Sequence, residues 1–286
     1  MPAFKAPAPG FAVRFSPFHE NRLLAAASQH FGLVGNGHLL VLDLAAGGPG
    51  AAPTPVFSFP TSDALFDCAW SESHESLCAA ASGDGSVRLF DAALPPAQNP
   101  VRLLREHARE VHGLDWNPVR RDAFVSASWD DTLKLWSPDR PASVRTFRGH
   151  EYCVYAAAWS ARHPDVFASA SGDRTARVWD VRDPAPTLVI PAHDHEVLSL
   201  DWDKYDPSIL ATASVDKSIR VWDVRSPRAP LAQLAGTRDA LLARYAHHTE
   251  FVAGIDMSVL VEGLLASAGW DEMIYVWPFG TDPRAM

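Results

Sequence analysis

The sequence predicts an all-β propeller made of six similar units, because three landmarks recur in phase along the chain. The first is an apolar stripe that ends in a large apolar residue, at Leu42, Phe90, Trp136, Trp179, Trp222 and Trp277. The intervals between these residues are 48, 46, 43, 43 and 55. The second landmark is an Asp six residues before each of the last four, at Asp130, Asp173, Asp216 and Asp271. The third marks the end of an earlier strand, at Phe15, Trp70, Trp116, Trp159, Trp202 and Met257. A period of about 40–45 residues is typical of one four-stranded blade.

The unit at residues 107–147 illustrates how one repeat predicts four strands. Val111–Trp116 alternates apolar with small or polar residues, which indicates an inner strand. Ala123–Ser128 is rich in small residues, as expected where blades meet closely, and Trp129–Asp131 forms a tight turn. Thr132–Trp136 has period two and predicts a third strand, and Ser143–Phe147 predicts the outer one. The same pattern fits residues 150–190, 193–235 and 247–279.

The two ends of the chain predict how the ring of blades is completed. Residues Ala3–Ala6 precede the first inner strand, Phe11–Phe15, and the last unit ends at its third strand, Ile274–Trp277. We expect the N-terminal segment to add the missing outer strand to the last blade, which closes the ring and removes two sheet edges. Residues 1–286 are therefore predicted to form a single propeller domain.

This array resembles the WD-repeat family. In that family His, Ser, Asp and Trp form a hydrogen-bonded ladder within each blade, and the ladder gives the imidazole a carboxylate partner and the indole N–H an acceptor. Three such ladders can be assigned: His107, Ser128, Asp130 and Trp136; His150, Ser171, Asp173 and Trp179; His193, Ser214, Asp216 and Trp222. The fourth His in this series is taken as His247. These residue types could also suggest catalysis, but an active site occurs once per chain, and the repetition indicates a structural role.

The first two units lack the ladder residues. Ala6 and Thr61 stand at the His position, and Leu42 and Phe90 stand at the Trp position. We therefore expect these two blades to depend more on apolar packing. The interval between the last two landmarks also departs from the pattern, and its meaning depends on the family.

Composition narrows the functional class. The net charge is −9, which argues against nucleic acid and favours basic partners. The chain has no apolar run near the length of a membrane helix and no evident targeting peptide, so we expect no direct membrane insertion. Three cysteines, an odd number without metal-ligand spacing, fit a reducing compartment such as the cytosol. No nucleophile elbow or phosphate-binding loop is present, so we predict no enzyme, metal or cofactor.

Segments outside the repeat pattern are more specific. They are Phe11–Phe18, Ala26–Gly37, Leu65–Glu72, Glu106–Val111 and His247–Glu272. Together they resemble the WD-repeat peroxin, the receptor for the type-2 peroxisomal targeting signal, in a plant-like version. The resemblance implies a cytosolic receptor that binds cargo proteins through a short N-terminal signal. That signal has the pattern Arg or Lys, an aliphatic residue, five residues, His or Gln, and an aliphatic residue.

The resemblance also implies a route. The receptor would cycle from the cytosol to the peroxisome matrix with a co-receptor, which in plants is the receptor for the C-terminal signal. A basic amphipathic signal needs carboxylates and an apolar groove. Candidates for cargo binding lie at turns on one face of the predicted propeller: Asp63, Asp67, Glu110, Trp129, Asp131, Glu151, Tyr152 and Glu196. Singly, each acidic residue could be a solvated turn carboxylate.

One blade is expected to be incomplete. The usual step of 14 residues from Trp222 reaches Gly236, and the next His of the series, His247, follows after 11 residues instead of about 43. Roughly 32 residues, enough for three strands, are therefore missing compared with a seven-bladed family. Residues 240–245 read as a second outer strand. Either the ring closes with six blades, or it stays open with unpaired edges.

Two alternative functions remain. Trp179–Arg182 and Trp222–Arg225 match the Trp-Asp-x-Arg ending of substrate-receptor adaptors of cullin-RING ubiquitin ligases. Arg at this place is common in propellers, because its stem can lie over the blade edge. A WD-repeat scaffold without a defined peptide ligand is the second alternative. Retention of the ligase linker protein, without peroxisomal cargo, would distinguish the adaptor from the receptor.

Overall fold

The computed structural model describes residues 2–46, 51–235 and 245–280 of the chain. Within these residues the protein forms six four-stranded antiparallel sheets, so the prediction of a six-bladed all-β propeller is confirmed. The chain forms two compact units, Met1–Leu103 with Leu242–Met286, and Leu104–Leu241. That the whole chain is a single domain stays a prediction.

The strands follow one another in the order that the repeats predict. The strands before residue 106 are β1 (Ala3–Lys5), β2 (Gly10–Phe15), β3 (Arg22–Ser28), β4 (Gly37–Asp43), β5 (Thr54–Thr61), β6 (Leu65–Trp70), β7 (Leu77–Ser82), β8 (Ser86–Asp91) and β9 (Arg102–Arg105). The strands of the second unit are β10 (Val111–Trp116), β11 (Phe124–Ser128), β12 (Thr132–Trp136), β13 (Arg145–Arg148), β14 (Val154–Trp159), β15 (Val166–Ser171), β16 (Thr175–Asp180), β17 (Pro186–Pro191), β18 (Val197–Trp202), β19 (Ile209–Ser214), β20 (Ser218–Asp223) and β21 (Ala232–Ala235). The last three are β22 (Val252–Met257), β23 (Leu264–Gly269) and β24 (Met273–Pro278).

Each blade contains four consecutive strands, except the last. Blades one to five are β2–β5, β6–β9, β10–β13, β14–β17 and β18–β21. Blade six has the order β1-β24-β23-β22, with Ala3 opposite Tyr275 and Lys5 opposite Met273. The prediction that the N-terminal segment supplies the outer strand of the last blade is therefore confirmed.

The aromatic residue that ends each inner strand ties a blade to the one before it. In the first unit, Trp70 Nε1 donates a hydrogen bond of 3.1 Å to the carbonyl oxygen of Arg14, which lies in the inner strand of blade one. In the second unit, Trp159 Nε1 and Trp202 Nε1 donate in the same way to the inner strand of the preceding blade. The indole thus buries its ring and satisfies its N–H in one contact.

Small residues in the second strands let neighbouring blades approach closely. Ala25, Ala26 and Ala27 in β3 are fully buried, as are Ala79–Ala81 in β7. In the first unit, Ala25 and Ala27 join a core with Ala268 and Ile274 of blade six. Larger side chains at these positions would force the sheets apart, since protein cores are packed almost without voids.

Blade five has an uncovered outer face. In blades three and four the apolar pair between the third and fourth strands, Leu133 with Phe147 and Ala176 with Ile190, is 0% exposed. The equivalent pair of blade five, Ile219 with Leu234, is 45% exposed at both residues. No neighbouring sheet therefore covers this pair as the next blade covers its equivalents.

Blade six has an uncovered inner strand. Met257 holds the position of the strand-ending aromatic, but it is 48% exposed, whereas Trp70, Trp159 and Trp202 are 4–5% exposed. Ile255 in the same strand is 62% exposed. Both uncovered faces border the place in the chain where the sequence predicts that most of a repeat is missing. The predicted second outer strand, residues 240–245, lies outside the described residues except for Tyr245.

Candidate functional site

Three blades of the second unit carry the same side-chain ladder. In blade three, His107 Nδ1 lies 2.9 Å from Asp130 Oδ2, and His107 Nε2 lies 2.7 Å from Ser126 Oγ. Ser126 Oγ also accepts a hydrogen bond of 2.8 Å from Trp136 Nε1. The equivalent residues in blades four and five are His150, Asp173, Ser169 and Trp179, and His193, Asp216, Thr212 and Trp222. Every member has a partner inside its own blade, so the ladder ties the turn to the sheet.

The hydroxyl groups of these ladders differ from those that the sequence predicts. The predicted Ser128, Ser171 and Ser214 each lie two residues beyond the actual ladder residue. Trp136 is opposite Phe124 in the sheet, so Ser126 is its diagonal neighbour on the same face. Ser128 lies about 7 Å further along the strand and is out of reach of the indole.

The predicted serines cap the following turn instead. Ser128 Oγ donates a hydrogen bond of 2.8 Å to the carbonyl oxygen of Glu110 and accepts one of 3.1 Å from the Asp130 N–H. Ser171 makes the equivalent contacts with Tyr152 and Asp173. Ser214 Oγ accepts from the N–H of Asp216. These hydroxyls hold the aspartate turn, which positions the carboxylate for its histidine.

Blade six has a ladder built on His248 and not on the predicted His247. His248 Nδ1 lies 2.8 Å from Asp271 Oδ1, and His248 Nε2 lies 2.8 Å from Ser267 Oγ. His248 is 29 residues before Trp277, the same interval as in the other three ladders. In blade two, which lacks the histidine, the buried Arg88 contacts Asp84 at 3.1 Å. This blade therefore has a polar substitute in addition to the apolar packing that we predicted.

The protonation states of the ladder follow from burial and pairing. Burial raises the pKa of Asp173, but the hydrogen bonds from His150 and Thr175 outweigh it and hold that pKa well below the ordinary value. Burial lowers the pKa of His150, and the neighbouring Asp173 only partly offsets this. The folded protein therefore favours an ionised Asp173 beside a neutral His150.

A β-bulge recurs at the start of every inner strand. In each of the six blades the register shifts between the first and third residues of this strand, as between Val111 and Gly113. The second residue is left out of the pairing, and bulges of this kind re-aim a side chain. The bulged residues are Phe11, Phe66, His112, Tyr155, Leu198 and Ala253. Four of the six therefore present an aromatic ring at the same end of their blades, a feature that strand periodicity does not reveal.

Trp129 lies at this bulged end of blade three. Its ring stacks on His112 with centroids 4.2 Å apart and an interplanar angle of 4°, and Tyr155 meets it edge-on at 5.9 Å. Burial lowers the pKa of His112 to about 3, so the stacked imidazole is neutral. The Arg109 guanidinium carbon lies 6.0 Å from the centre of the Trp129 ring. Trp129 is thus a rigid part of an aromatic surface.

The other predicted cargo residues of the second unit lie at the same strand ends. Glu110 and Glu151 precede β10 and β14, Glu196 precedes β18, and Asp131 follows β11 in a left-handed conformation with φ 66°. Tyr152 is 56% exposed and packs against Gly172 so closely that a Cβ there would lie 2.4 Å from Cδ1 of the tyrosine. Six of the eight predicted residues therefore occupy one end of three consecutive blades.

The two predicted acidic residues of the first unit differ in environment. Asp63 is half-buried, and its Oδ1 accepts a hydrogen bond of 2.8 Å from the Ala64 N–H. Asp67 is only 9% exposed, and its Oδ1 lies 3.5 Å from Arg14 and accepts from the Cys68 N–H. Asp67 follows the bulged Phe66 and returns to the sheet, which directs its carboxylate to Arg14. Asp63 is therefore the better placed of the two for a cationic ligand.

A group of aromatic residues in the first unit was not predicted from the sequence. This aromatic cluster consists of Phe11, Phe31, Phe66, Phe251 and Trp270. Phe11 and Phe66 meet edge-on at 5.5 Å, and Phe11, Phe31 and Phe251 lie 6.1, 5.2 and 5.5 Å from Trp270 between ring centres. Trp270 precedes its ladder aspartate as Trp129 does, and that equivalence was the signal in the sequence.

The described residues offer no sign of a metal centre or a membrane span. Within residues 2–46, 51–235 and 245–280, no group of three or more His, Cys, Asp or Glu residues is placed to hold a metal ion. In the same ranges no helix is long and apolar enough to cross a membrane.

The two Trp-Asp-x-Arg segments have a local explanation. Arg182 Nε lies 2.8 Å from the carboxylate of Asp180, and Arg225 Nε lies 2.9 Å from that of Asp223. Each arginine folds back on the aspartate of its own motif, so these contacts account for the arginines without a partner protein. The motif therefore does not favour the ligase adaptor.

Repeated blades, ladders and bulges define a WD-repeat propeller. The family described as "WD domain, G-beta repeat" matches residues 53–91, 98–137, 141–180 and 184–223, which is more than half of the chain. Peroxisome biogenesis protein 7 of Arabidopsis thaliana is 64% identical to this chain over 318 aligned positions, which cover all of both proteins. The chain belongs to this family of WD-repeat peroxisomal targeting receptors, a class without enzymatic activity.

More distant relatives carry the receptor name directly. The peroxisomal targeting signal 2 receptors of Dictyostelium discoideum and Homo sapiens are both 44% identical, over 129 and 131 residues. These alignments cover 45% of this chain, and 40% and 38% of the two relatives. Similarity to named receptors therefore extends from plants to amoebae and animals.

The length of the Arabidopsis alignment bears on the incomplete repeat. It has 318 positions, and this chain supplies 286 residues, so 32 positions hold no residue of this chain. The repeat spacing predicts the loss of roughly the same number of residues between Trp222 and His247. The two estimates agree, although they come from different observations.

Proposed function

We propose that this chain binds the N-terminal type-2 peroxisomal targeting signal of cargo proteins and, with a co-receptor, brings them to the peroxisome for import. The observation that carries the proposal is the 64% identity to peroxisome biogenesis protein 7 over the whole of both chains. The targeting signal 2 receptors named among the other relatives support the same ligand. The co-receptor in this proposal is the receptor for the C-terminal signal, and the chain cycles between the cytosol and the peroxisome matrix.

Charge and shape at the bulged strand ends support a basic peptide as the ligand. Glu110, Glu151 and Glu196 lie beside the rings of Trp129 and Tyr155, and the whole chain carries a net charge of −9. A helical signal with a Lys or Arg on one side and aliphatic residues on the other requires both features. Carboxylates bind the cation, and the rings give apolar contact.

A binding assay with a labelled synthetic signal peptide tests the proposal. Fluorescence anisotropy would be measured with the chain alone and with the co-receptor, against a scrambled peptide of equal charge. We expect specific binding of the ordered signal, which weakens as salt rises because ionic contacts at the surface are screened. Equal binding of the scrambled peptide would contradict the proposal, and so would retention of a ubiquitin-ligase linker protein without cargo.

A further inference from the structure

The aromatic cluster of the first unit is a surface feature and not a buried core. Phe31 and Phe251 contact Trp270 from two sides, yet they are 50% and 71% exposed. Phe11 and Phe66, the bulged residues of blades one and two, lie half-buried beside them. Exposed aromatic groups of this kind on a soluble protein mark a site of contact with another molecule.

The loop that carries Phe31 is held in an uncommon conformation. His30 and Phe31 have φ angles of 46° and 58°, in the left-handed region that bulky residues avoid. Gly32 follows at φ 75° and lies against Phe66, where a Cβ would come within 2.5 Å of Cε1. Unfavourable backbone angles persist where the surrounding structure requires them, often at binding sites. Here they hold an apolar ring out beside Trp270.

A carboxylate borders the cluster. Asp63 Oδ1 and Phe66 Cε2 lie 2.8 and 3.5 Å from the point where a Cβ on Gly83 would stand. Any side chain at residue 83 would occupy the space between the carboxylate and the ring. Glu250, which is exposed, directly precedes Phe251. The cluster therefore has acidic groups at two of its borders.

We propose that the aromatic cluster binds the aliphatic side chains of the type-2 signal, while Asp63 contacts a cationic residue of the same peptide; this inference rests on the proposed function. An amphipathic helix lays its apolar stripe, spaced at three and four residues, along such a surface. The negative border favours a ligand that is cationic beside its apolar stripe, which distinguishes the signal from a neutral apolar segment. Phe31 and Phe251 are the specificity-determining residues for the aliphatic positions.

The test combines receptor variants with peptide variants in the anisotropy assay, under conditions where the unaltered chain binds the signal. Phe31→Ala and Phe251→Ala should each weaken binding by about tenfold, as for exposed aromatic anchors. In a Phe31→Ala chain, replacing an aliphatic residue of the peptide with Ala should cost little more. Replacing its Arg with Gln should cost as much as it does with the unaltered chain, because independent contacts add.

Phe18→Ala is the matched control, since Phe18 is 39% exposed and follows the opposite end of β2. It should leave affinity unchanged. Circular dichroism and the melting midpoint should be the same for all three variants. Normal binding by both Phe31→Ala and Phe251→Ala would overturn the inference and leave the proposed function standing. Equal losses for the aliphatic and the Arg peptide variants would overturn it too. If the unaltered chain binds no signal peptide with or without the co-receptor, the proposed function fails and the inference fails with it.

Discussion

At the scale of single residues, the ladder of blade four makes the most definite prediction about stability. Asp173 accepts hydrogen bonds at its carboxylate from Thr175 and contacts His150 and Arg177. Asp173→Ala would leave these buried groups without their partner, and we expect it to lower the free energy of unfolding by about 1–3 kcal/mol. Chemical denaturation followed by circular dichroism measures the loss.

Asp139→Ala, at an exposed turn, is the control and should change stability by less than about 0.5 kcal/mol. Asp173→Ala should still bind the signal peptide wherever it remains folded, because the ladder residues point into the blade. A folded Asp173→Ala protein without any binding would instead give this turn a direct role in recognition.

The same ladder predicts how stability depends on pH. The folded pKa of His150 is lower than its ordinary value of about 6.5, so the unfolded chain takes up the proton first. Stability from this group is therefore complete above pH 6.5 and is lost as pH falls towards the folded pKa. The depressed pKa of Asp173 adds a second loss, but only below its unfolded value of about 3.9.

We expect the melting midpoint to fall between pH 7.5 and pH 5. His150→Gln removes one of the titrating groups and should make this fall smaller, although the variant is less stable at neutral pH. An unchanged pH dependence in His150→Gln would show that other groups cause it. Differential scanning fluorimetry at a series of pH values makes both comparisons.

At the scale of strands and turns, the bulged end of blade three predicts a change in binding alone. The Glu110 side chain is partly exposed and lies 3.8 Å from Arg109, whereas its backbone carbonyl holds Trp129 and Ser128. Glu110→Gln keeps the backbone contacts and removes the charge. We expect signal affinity to fall by about tenfold, since a charge-assisted hydrogen bond contributes about 1.5–3 kcal/mol.

The matched control is Glu262→Gln, because Glu262 is exposed in the β22–β23 turn, beyond the far end of the inner strand. It should leave affinity and its salt dependence unchanged. If Glu110→Gln binds as tightly as the unaltered chain at low salt, the acidic residues of blade three do not contact the signal.

Strand order was predictable from the sequence, whereas side-chain direction was only partly so. The interval of 29 residues locates the ladder histidines, but the Ser126-Ala-Ser128 sequence offers two hydroxyls on one face. Only the pairing of Phe124 with Trp136 decides between them. The bulge was also invisible, because a single unpaired residue does not alter the apolar pattern. For this reason the sequence pointed to Asp67 and missed Phe66.

At the scale of the whole molecule, sequence spacing anticipated a feature that appears in the structure as exposed apolar surface. The repeats predicted six blades and an incomplete seventh from intervals alone. The consequence, an uncovered Ile219 beside Leu234 and an uncovered Ile255 and Met257, depends on which faces pack against a neighbour. Intervals count the blades, but only the packed structure identifies the faces that the missing repeat leaves exposed.

A further blade at this point of the chain would cover both faces, because consecutive blades within each unit pack outer face to inner strand. The prediction compares the existing chain with one that carries the 32 residues which the Arabidopsis relative has and this chain lacks. In the existing chain Ile219→Ala should cost less than about 1 kcal/mol, since the residue is half exposed. In the lengthened chain it should cost about 2 kcal/mol or more, as for a core residue. Leu133→Ala, at the same place in blade three, is buried and should cost about 2–5 kcal/mol in both chains. The lengthened chain should also melt at a clearly higher temperature and bind less of a hydrophobic dye. An equal cost of Ile219→Ala in the two chains, with an unchanged melting midpoint, would mean that six blades are the native design of this protein.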